Sequence, residues 1–359
     1  MSLSFCRSSL TKASLGVLLF ASQAVLVSAQ YSLTKLQGIT AYDTAFLNDV
    51  GQVATNSAFW SNGTTTKLSE SIPGFIAGLN NQGQVVGYSV VTFPVMGYIW
   101  QAGVMTFLPP LFPRQETEGL SINEKGEIVG LADPTPLDSS LSFHAVYWGL
   151  DRKPVDLGVL LGQDISVARA INDEGQILST SASIFVATNE HTLIVTDASA
   201  SSPLQFTISG SGLTIAGMTN SGLISGTVDS KAFFWREGKL TYILPFGAVS
   251  SSVFGFNNDG AIVGTYTTAD AKIRPFVYDD GIVTDLFSEL SPLLPTGASL
   301  TTAFDINNLG QILISDANKN LYIASPLASP VPEPASFAYC FALVAICLGL
   351  RKTLPRFRQ

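Results

Sequence analysis

The chain has 359 residues, of which 46% are hydrophobic and 13% charged, and its formal net charge is −8. Six of the 19 Lys and Arg residues and one of the 27 Asp and Glu residues lie in 1–29 or 331–359, so the body between them carries 13 basic and 26 acidic residues, a charge of −13. This acidity argues against nucleic acid or an anionic membrane surface as a partner. Cys6, Cys340 and Cys347 lie outside the body, which excludes disulfides and thiolate metal sites from it.

The N-terminal segment 1–29 has the order of a secretory signal peptide. Arg7 and Lys12 precede an apolar stretch, and small residues lead up to the expected cleavage between Ala29 and Gln30. This order predicts an exported protein. A buried N-terminal helix is the alternative interpretation.

The body, residues 30–324, contains seven copies of one predicted β-hairpin. Apolar runs flank a turn that opens at Asn, which tolerates left-handed angles and can hydrogen-bond its own chain, and closes at Gly, which supplies positive φ. Thr219 replaces the Asn once, and the turns are Asn48 to Gly51, Asn80 to Gly83, Asn123 to Gly126, Asn172 to Gly175, Thr219 to Gly222, Asn257 to Gly260 and Asn307 to Gly310. The glycines lie 32, 43, 49, 47, 38 and 50 residues apart, which is typical of a solenoid, a propeller or an array.

Each repeat contains four short apolar runs. A run precedes the hairpin, a second follows it, an aromatic run such as 232–235 comes next, and a fourth run such as 155–157 ends in Leu. The aromatic runs are apolar at consecutive positions, which suits a sheet packed on both faces. Four strands in about 43 residues predict an all-β fold, a β-propeller of seven blades. A β-solenoid or two sandwiches remain as alternatives.

Two parts of the body depart from the repeat. The fourth unit lacks a Trp, so we predict that 183–188 pairs with 191–196 and that 204–208 is an insertion. The last unit lacks a fourth strand before the Pro-rich segment. We expect residues 31–36 to pair with 321–324 and to close the ring, because pairing leaves fewer bare sheet edges.

The C-terminal region has three parts in order. A Pro-rich linker, 325–334, precedes an uncharged run, 335–350, which we predict to be a transmembrane helix. The tail 351–359 should be cytoplasmic, because its cations keep it on that side and place the body outside; these are Arg351, Lys352, Arg356 and Arg358. The alternative to a transmembrane helix is a core helix, and the alternative to a transient anchor is a stable tail anchor.

Two families resemble parts of this chain. The repeated hairpin, together with runs such as His144-Ala145-Val146 and Ala232-Phe233, resembles the bacterial extracellular HAF repeat family, which has no settled activity to carry over. The tail, with Pro332-Glu333-Pro334, the apolar run and the cations, resembles a PEP-CTERM sorting signal. That resemblance implies a Gram-negative bacterium, an exosortase-type enzyme as partner, transient anchoring in the inner membrane, and an association with exopolysaccharide or biofilm matrix.

No residue pattern predicts catalysis, a cofactor or a metal. His144 and His191 have no acidic ligand cluster beside them in the sequence; we expect a structural hydrogen bond for the first and a solvated turn position for the second. Turn carboxylates such as Glu124 and Asp173 are expected to be solvated. We predict a non-enzymatic binding or structural protein of the cell surface or matrix, whose partner is exopolysaccharide or another surface protein. A polysaccharide hydrolase or lyase is the alternative, favoured if acids converge at one mouth of the propeller.

Overall fold

The computed structural model describes residues 31–41, 43–68, 74–134, 142–159, 163–182, 190–197 and 203–327. Within these ranges the chain forms seven four-stranded antiparallel sheets. The first strand of each sheet lines a common central cavity, so each sheet is one blade of a ring. The predicted all-β fold and its seven blades are confirmed.

Blades 1 to 3 each use four consecutive strands, counted after the N-terminal strand β1 (Tyr31–Thr40). Blade 1 contains β2 (Ala45–Leu47), β3 (Val53–Thr55), β4 (Ala58–Ser61) and β5 (Thr64–Lys67). Blade 2 contains β6 (Gly74–Leu79), β7 (Val85–Ser89), β8 (Met96–Gln101) and β9 (Val104–Phe107). Blade 3 contains β10 (Thr117–Ile122), β11 (Ile128–Ala132), β12 (His144–Trp148) and β13 (Pro154–Gly158).

Blades 4 to 6 follow the same order. Blade 4 contains β14 (Ile165–Ile171), β15 (Ile177–Ala182), β16 (Glu190–Thr196) and β17 (Leu204–Ser209). Blade 5 contains β18 (Thr214–Met218), β19 (Ile224–Val228), β20 (Lys231–Arg236) and β21 (Lys239–Ile243). Blade 6 contains β22 (Ala248–Phe256), β23 (Ile262–Thr268), β24 (Ile273–Asp279) and β25 (Ile282–Asp285).

Blade 7 combines the two ends of the body. It contains β26 (Leu300–Ile306), β27 (Ile312–Asp316) and β28 (Asn320–Pro326), and β1 is its fourth strand. Leu33 pairs with Ala324 and Lys35 with Tyr322, which confirms the predicted ring closure. The sheet continues two residues into the expected linker, since Pro326 pairs with Tyr31. A proline is tolerated there because it stands at the end of the strand.

The core is divided among the seven interfaces between blades. Each of seven clusters of buried apolar residues in the described ranges combines side chains of two neighbouring blades. Val129 packs towards blade 4, for example, while Ile128 beside it packs towards blade 2. A blade is therefore buried on both faces, which explains why its inner strands are apolar at successive positions.

The prediction for blade 4 was wrong. Strand β16 pairs with β15, and β17 is the fourth strand of the blade rather than an insertion. The third strand of blade 4 buries Leu193 but lacks the Trp that marks most other third strands, so its register could not be predicted from the repeat. Segment 183–188 lies outside the described residues.

A short helical segment was not predicted. After β25 the chain forms α1 (Leu286–Leu290), whose first turn is capped by the Asp285 carboxylate accepting from the backbone N–H of Phe287, and a 3-10 turn at Ser291–Leu293. Leu286 and Leu290 are fully buried against blades 6 and 7. The segment is too short for helical periodicity to be read from the sequence.

Several predicted segments fall outside the described residues: the signal peptide 1–29 with its cleavage point at Ala29 and Gln30, the sorting motif Pro332, Glu333 and Pro334, the apolar run 335–350, and the tail 351–359 with its four cations. Among the residues that are described, no helix has the length and apolar character to cross a membrane.

Candidate functional site

The seven repeated turns gather at one end of the central cavity, which we call the Asn-turn mouth. Each turn joins the first and second strands of a blade, and its glycine donates its backbone N–H to the carbonyl of the Asn or Thr that opens the turn, at 3.0–3.1 Å. All seven glycines have φ between +71° and +93°, the left-handed conformation for which they were predicted.

The turn asparagines have a role that the sequence did not reveal. None of the six adopts positive φ. Asn123 shows the pattern: its Oδ1 accepts from the N–H of Glu127, and its Nδ2 donates to Glu127 Oε2 at 2.7 Å and to the carbonyl of Asn172 in the next blade at 3.0 Å. Each Asn thus closes its own turn and also binds the neighbouring blade.

These amides form a first ring of links between blades. Six of the seven links are present, from Asn48 to Asn80, Asn80 to Asn123, Asn123 to Asn172, Asn172 to Thr219, Asn257 to Asn307, and Asn307 to Asn48, at 2.9–3.1 Å. The gap is at Thr219, which has no amide and whose hydroxyl instead accepts from Leu223 N–H in its own turn.

A second ring is formed by the residues that follow: Asp49, Asn81, Glu124, Asp173, Asn220, Asn258 and Asn308. The backbone N–H of each donates to the side-chain oxygen of the equivalent residue in the next blade, at 2.7–2.9 Å, and the ring closes without a gap. Only a side chain that places an acceptor oxygen at this distance from the backbone N–H of the preceding blade can complete the second ring. The sequence carries the signal, because all seven positions are Asp, Asn or Glu.

The three carboxylates of the second ring are held among amides. Asn81 and Asn308 both donate to Asp49 Oδ2, and Asn220 donates to Asp173 Oδ2. Burial, together with the nearby negative charges of Asp173 and Asp49, raises the pKa of Glu124, although the N–H of Asn81 opposes the shift. The prediction of solvated turn carboxylates is therefore wrong for Glu124 and Asp173, which accept hydrogen bonds from a neighbouring blade.

Below the rings lies a cavity of about 220 Å³. Its lining includes apolar side chains such as Leu120 and Phe254, the three carboxylates of the second ring, and two further charged groups, Arg169 in blade 4 and Asp305 in blade 7. Blades 4 and 7 are three blades apart, so these opposite charges lie on different sides of the cavity.

Asp305 lies where the ring closes. Its two carboxylate oxygens accept from Leu47 N–H in blade 1 and from Ile306 N–H, both at 2.9 Å. Burial, reinforced by the charge of Asp49, raises the pKa of Asp305 to about 7 despite these two hydrogen bonds. Part of the Asp305 population is therefore protonated near neutrality.

Neither histidine lies at the mouth. His144 Nδ1 is 2.9 Å from both carboxylate oxygens of Asp156 on the adjacent strand, which is a structural contact of the predicted kind. His191 was expected in a solvated turn, but it lies within β16, half-buried, with its Nε2 3.0 Å from the carbonyl of Gly210. Among the described residues, no group of three or more His, Cys, Asp or Glu side chains could hold a metal ion.

The fold and the mouth define a seven-bladed β-propeller closed by its N-terminal strand. By sequence the chain matches no protein-family model and no curated protein. Solved structures with similar folds include TolB from Acinetobacter baumannii, at 12% identity and a TM-score of 0.43 over 68% of this chain and 64% of that one. The β-propeller domain of the trilobed protease from Pyrococcus furiosus gives 12% identity and a TM-score of 0.46, over 71% of this chain and 83% of that one.

The SapL1 lectin gives 11% identity and a TM-score of 0.37, over 72% of this chain and 98% of that one. The alignment with TolB spans slightly less than two thirds of that protein. At these identities the resemblance concerns the course of the chain alone, and no ligand or activity is carried over.

Proposed function

We propose that this protein is an exported, non-enzymatic propeller that serves as a rigid scaffold for binding matrix polysaccharide at the cell surface. The observation that carries the proposal is the completed second ring. Its carboxylates, which would be the acids of a glycosidase, each accept a backbone N–H from a neighbouring blade. A carboxylate committed to joining blades stabilises the ring, and a rigid ring presents outer surfaces with fixed geometry.

The experiment is a binding titration of the mature protein with the exopolysaccharide of its own host, followed by calorimetry. We expect saturable binding without any change in the polymer. The same mixture is assayed for new reducing ends and for unsaturated products. Absence of binding to the host polymer and to other matrix components would overturn the proposal.

One observation favours the alternative, a polysaccharide hydrolase or lyase. Burial raises the pKa of Glu124, and its backbone N–H donates to Asp173 Oδ1, so two acidic side chains lie in adjacent blades at the same mouth. If the protein cleaves the polymer, Glu124→Gln should abolish turnover while the ring persists, because the amide oxygen can still accept from Asn81 N–H. Turnover lost in this variant would establish the enzyme.

We also propose that the tail directs sorting. The apolar run 335–350 is marginal in length for a permanent span, its flanking cations keep the propeller outside, and the linker before it is rich in proline. An exosortase-type enzyme would then cut near Pro332-Glu333-Pro334. Mass spectrometry of the protein from its host tests this: a truncated C-terminus is expected, Glu333→Ala should trap the full-length form, and an intact end bearing Arg358 and Gln359 would favour a stable tail anchor.

A further inference from the structure

The connection between the third and fourth strands of blade 3 departs from a hairpin that four other blades share. The third and fourth strands are joined by two residues in blades 1, 2, 5 and 6, each a residue with φ of 46–50° followed by a Gly with φ of 81–87°, as in a type I′ hairpin. In blade 3 the same connection has five residues, 149–153. The longer turn contains Arg152, which adopts a φ of +58° that is uncommon outside Gly and Asn.

The position of Arg152 is fixed by its own side chain. Its Nη1 donates to the carbonyl of Gly126 at 2.6 Å and to that of Gly149 at 3.3 Å. Neither partner carries a charge, and none of the ion pairs formed by the described residues includes Arg152. The guanidinium is thus held in place with its positive charge unneutralised, and Nη2 and Nε remain to bind an anion.

Arg152 lines a groove of about 460 Å³ between blades 2 and 3. Ile99, Val104 and Thr106 form its floor on blade 2, and Val104 is 67% exposed there. Gln84 and Gln101 lie at its edge, with Gln84 Nε2 donating to Gln101 Oε1 at 3.2 Å. The volume is that of an ordinary small-ligand pocket, and an apolar floor with a few planar polar groups is the usual composition of one.

From this arrangement we infer that the groove between blades 2 and 3 binds a carboxylate-bearing sugar, a uronate residue of a polysaccharide. A pyranose ring presents C–H groups that cover the apolar floor, and its carboxylate is the planar partner that a guanidinium binds through two hydrogen bonds. The hydroxyls of the ring can accept from the second N–H of the Gln84 and Gln101 amides, whose first N–H groups donate to Gln101 and to the carbonyl of Gln82. Lys153, the residue after Arg152, is paired with Asp151 at 3.3 Å, so the Arg152 guanidinium is the charge that the sugar carboxylate would bind. The inference rests on the proposed function and adds the site and the sugar class.

The test uses the mature protein and two probes, trigalacturonate and the neutral galactose trisaccharide. Arg152→Gln should weaken trigalacturonate binding by at least about tenfold, the loss expected for one charge-assisted pair. Lys153→Gln is the matched control, because it removes the same charge from the same turn at a side chain that is paired with Asp151 and does not line the groove. Val104→Asp, which leaves the turn untouched, should also abolish binding, since it places a carboxylate on the exposed floor.

The outcomes are distinguishable. Loss of trigalacturonate binding in Arg152→Gln and Val104→Asp but not in Lys153→Gln, with unchanged thermal unfolding, supports the site. Equal affinity for the acidic and the neutral trisaccharide, or equal weakening by Lys153→Gln, would overturn it. Binding of the host polymer that survives both groove variants would place the sugar elsewhere and leave the proposed function standing, whereas failure of every glycan to bind would remove both.

Discussion

At the scale of single residues, the turn Asn works as an adaptor between blades. Its oxygen accepts from the chain four residues on, and its two N–H groups serve the turn and the next blade. Aspartate would lack the donors, and Ser or Thr would lack the reach. The asparagines are 1–6% exposed, so an amide left unpaired there would cost about 1–3 kcal/mol.

The Thr219 gap provides a test of this role. Thr219→Asn would place Nδ2 where it can donate to the carbonyl of Asn257 and complete the first ring, and we expect the free energy of unfolding to rise by about 1 kcal/mol. Asn172→Thr is the reverse change and should lower it by about 1–2 kcal/mol, because it removes donors to Thr219 and Gln176. Denaturant unfolding measures both; a loss of stability in Thr219→Asn would contradict the adaptor role.

Asp305 makes stability depend on pH in an identifiable direction. Its pKa in the folded protein is about 7 against an ordinary value of 3.8, so between these pH values the folded chain keeps a proton that the unfolded chain has released. Stability from this group is therefore fully present below about pH 4 and is lost as pH rises through 7, a total of up to about 4 kcal/mol.

Asp305→Asn removes that titration. We expect the native protein to lose unfolding free energy between pH 4.5 and pH 7.5. The variant should lose less, because its side chain stays neutral throughout. Asp259→Asn, at an exposed turn position, is the control. The same pH dependence in native protein and Asp305→Asn would show that Asp305 ionises normally in the folded state.

At the scale of elements, a glycine in the second strand lies opposite a bulge of the first strand in blades 2, 3, 5 and 6, whereas blades 4 and 7 have the bulge with Ser179 and Ile314 at that position. In six blades the residue three positions before the turn Asn or Thr is left out of the pairing, for example Leu120 between Gly119 and Ser121. In the four blades with the glycine, the backbone of the first strand lies close to it. A Cβ on Gly130 would lie 1.9 Å from the Glu118 carbonyl oxygen, and Gly87, Gly226 and Gly264 face similar contacts.

Gly130→Ala should therefore cost about 1–3 kcal/mol of stability, because the two strands must separate to admit a methyl group. The matched control is Ser179→Ala at the equivalent position of blade 4, which pairs with Ala168 just before the bulge. The buried Ser179 hydroxyl has no hydrogen-bond partner among the described residues, so its removal should be neutral or slightly stabilising. Comparable losses in both variants would show that close approach is not the reason for the glycine.

The elements that could be predicted are those that the sequence repeats. The Gly positions revealed the turns because backbone conformation is a local property, and the consecutive apolar residues revealed burial on both faces. Blade 4 was misassigned because its third strand has Thr196 at the position that Trp148 occupies in blade 3, and register depends on partners distant in sequence. The two rings were missed for the same reason, since each link joins residues 32 to 50 positions apart, or 259 at the closure.

At the scale of the whole molecule, closure by β1 ties both ends of the body to one side. Tyr31 pairs with Pro326. Gln311 Nε2 donates to Ser325 Oγ at 3.0 Å, and a Cβ at Gly310 would lie 3.2 Å from Pro326 Cγ, so this end of β28 lies beside the Asn turn of blade 7. The chain therefore enters and leaves the propeller at the Asn-turn mouth.

This position fixes how a tail-anchored form would stand on the membrane. Residues 327–334 span at most about 27 Å when extended, so we expect the Asn-turn mouth of such a form to face the bilayer and the opposite loops to point away. Those distal loops include the fully exposed Phe93 and Phe246, while Leu309, 64% exposed, lies in an Asn turn. The body has no cysteine, which permits site-specific labelling of introduced thiols.

We expect a bulky, membrane-impermeant maleimide to label Phe246→Cys faster than Leu309→Cys in spheroplasts that carry the Glu333→Ala form, because the bilayer shields the Asn turns. The Phe93→Cys variant should behave like Phe246→Cys. The same proteins released in detergent supply the control, since there the ratio of rates depends on local exposure alone. A ratio unchanged between membrane and detergent would mean that the linker does not hold the Asn-turn mouth against the membrane.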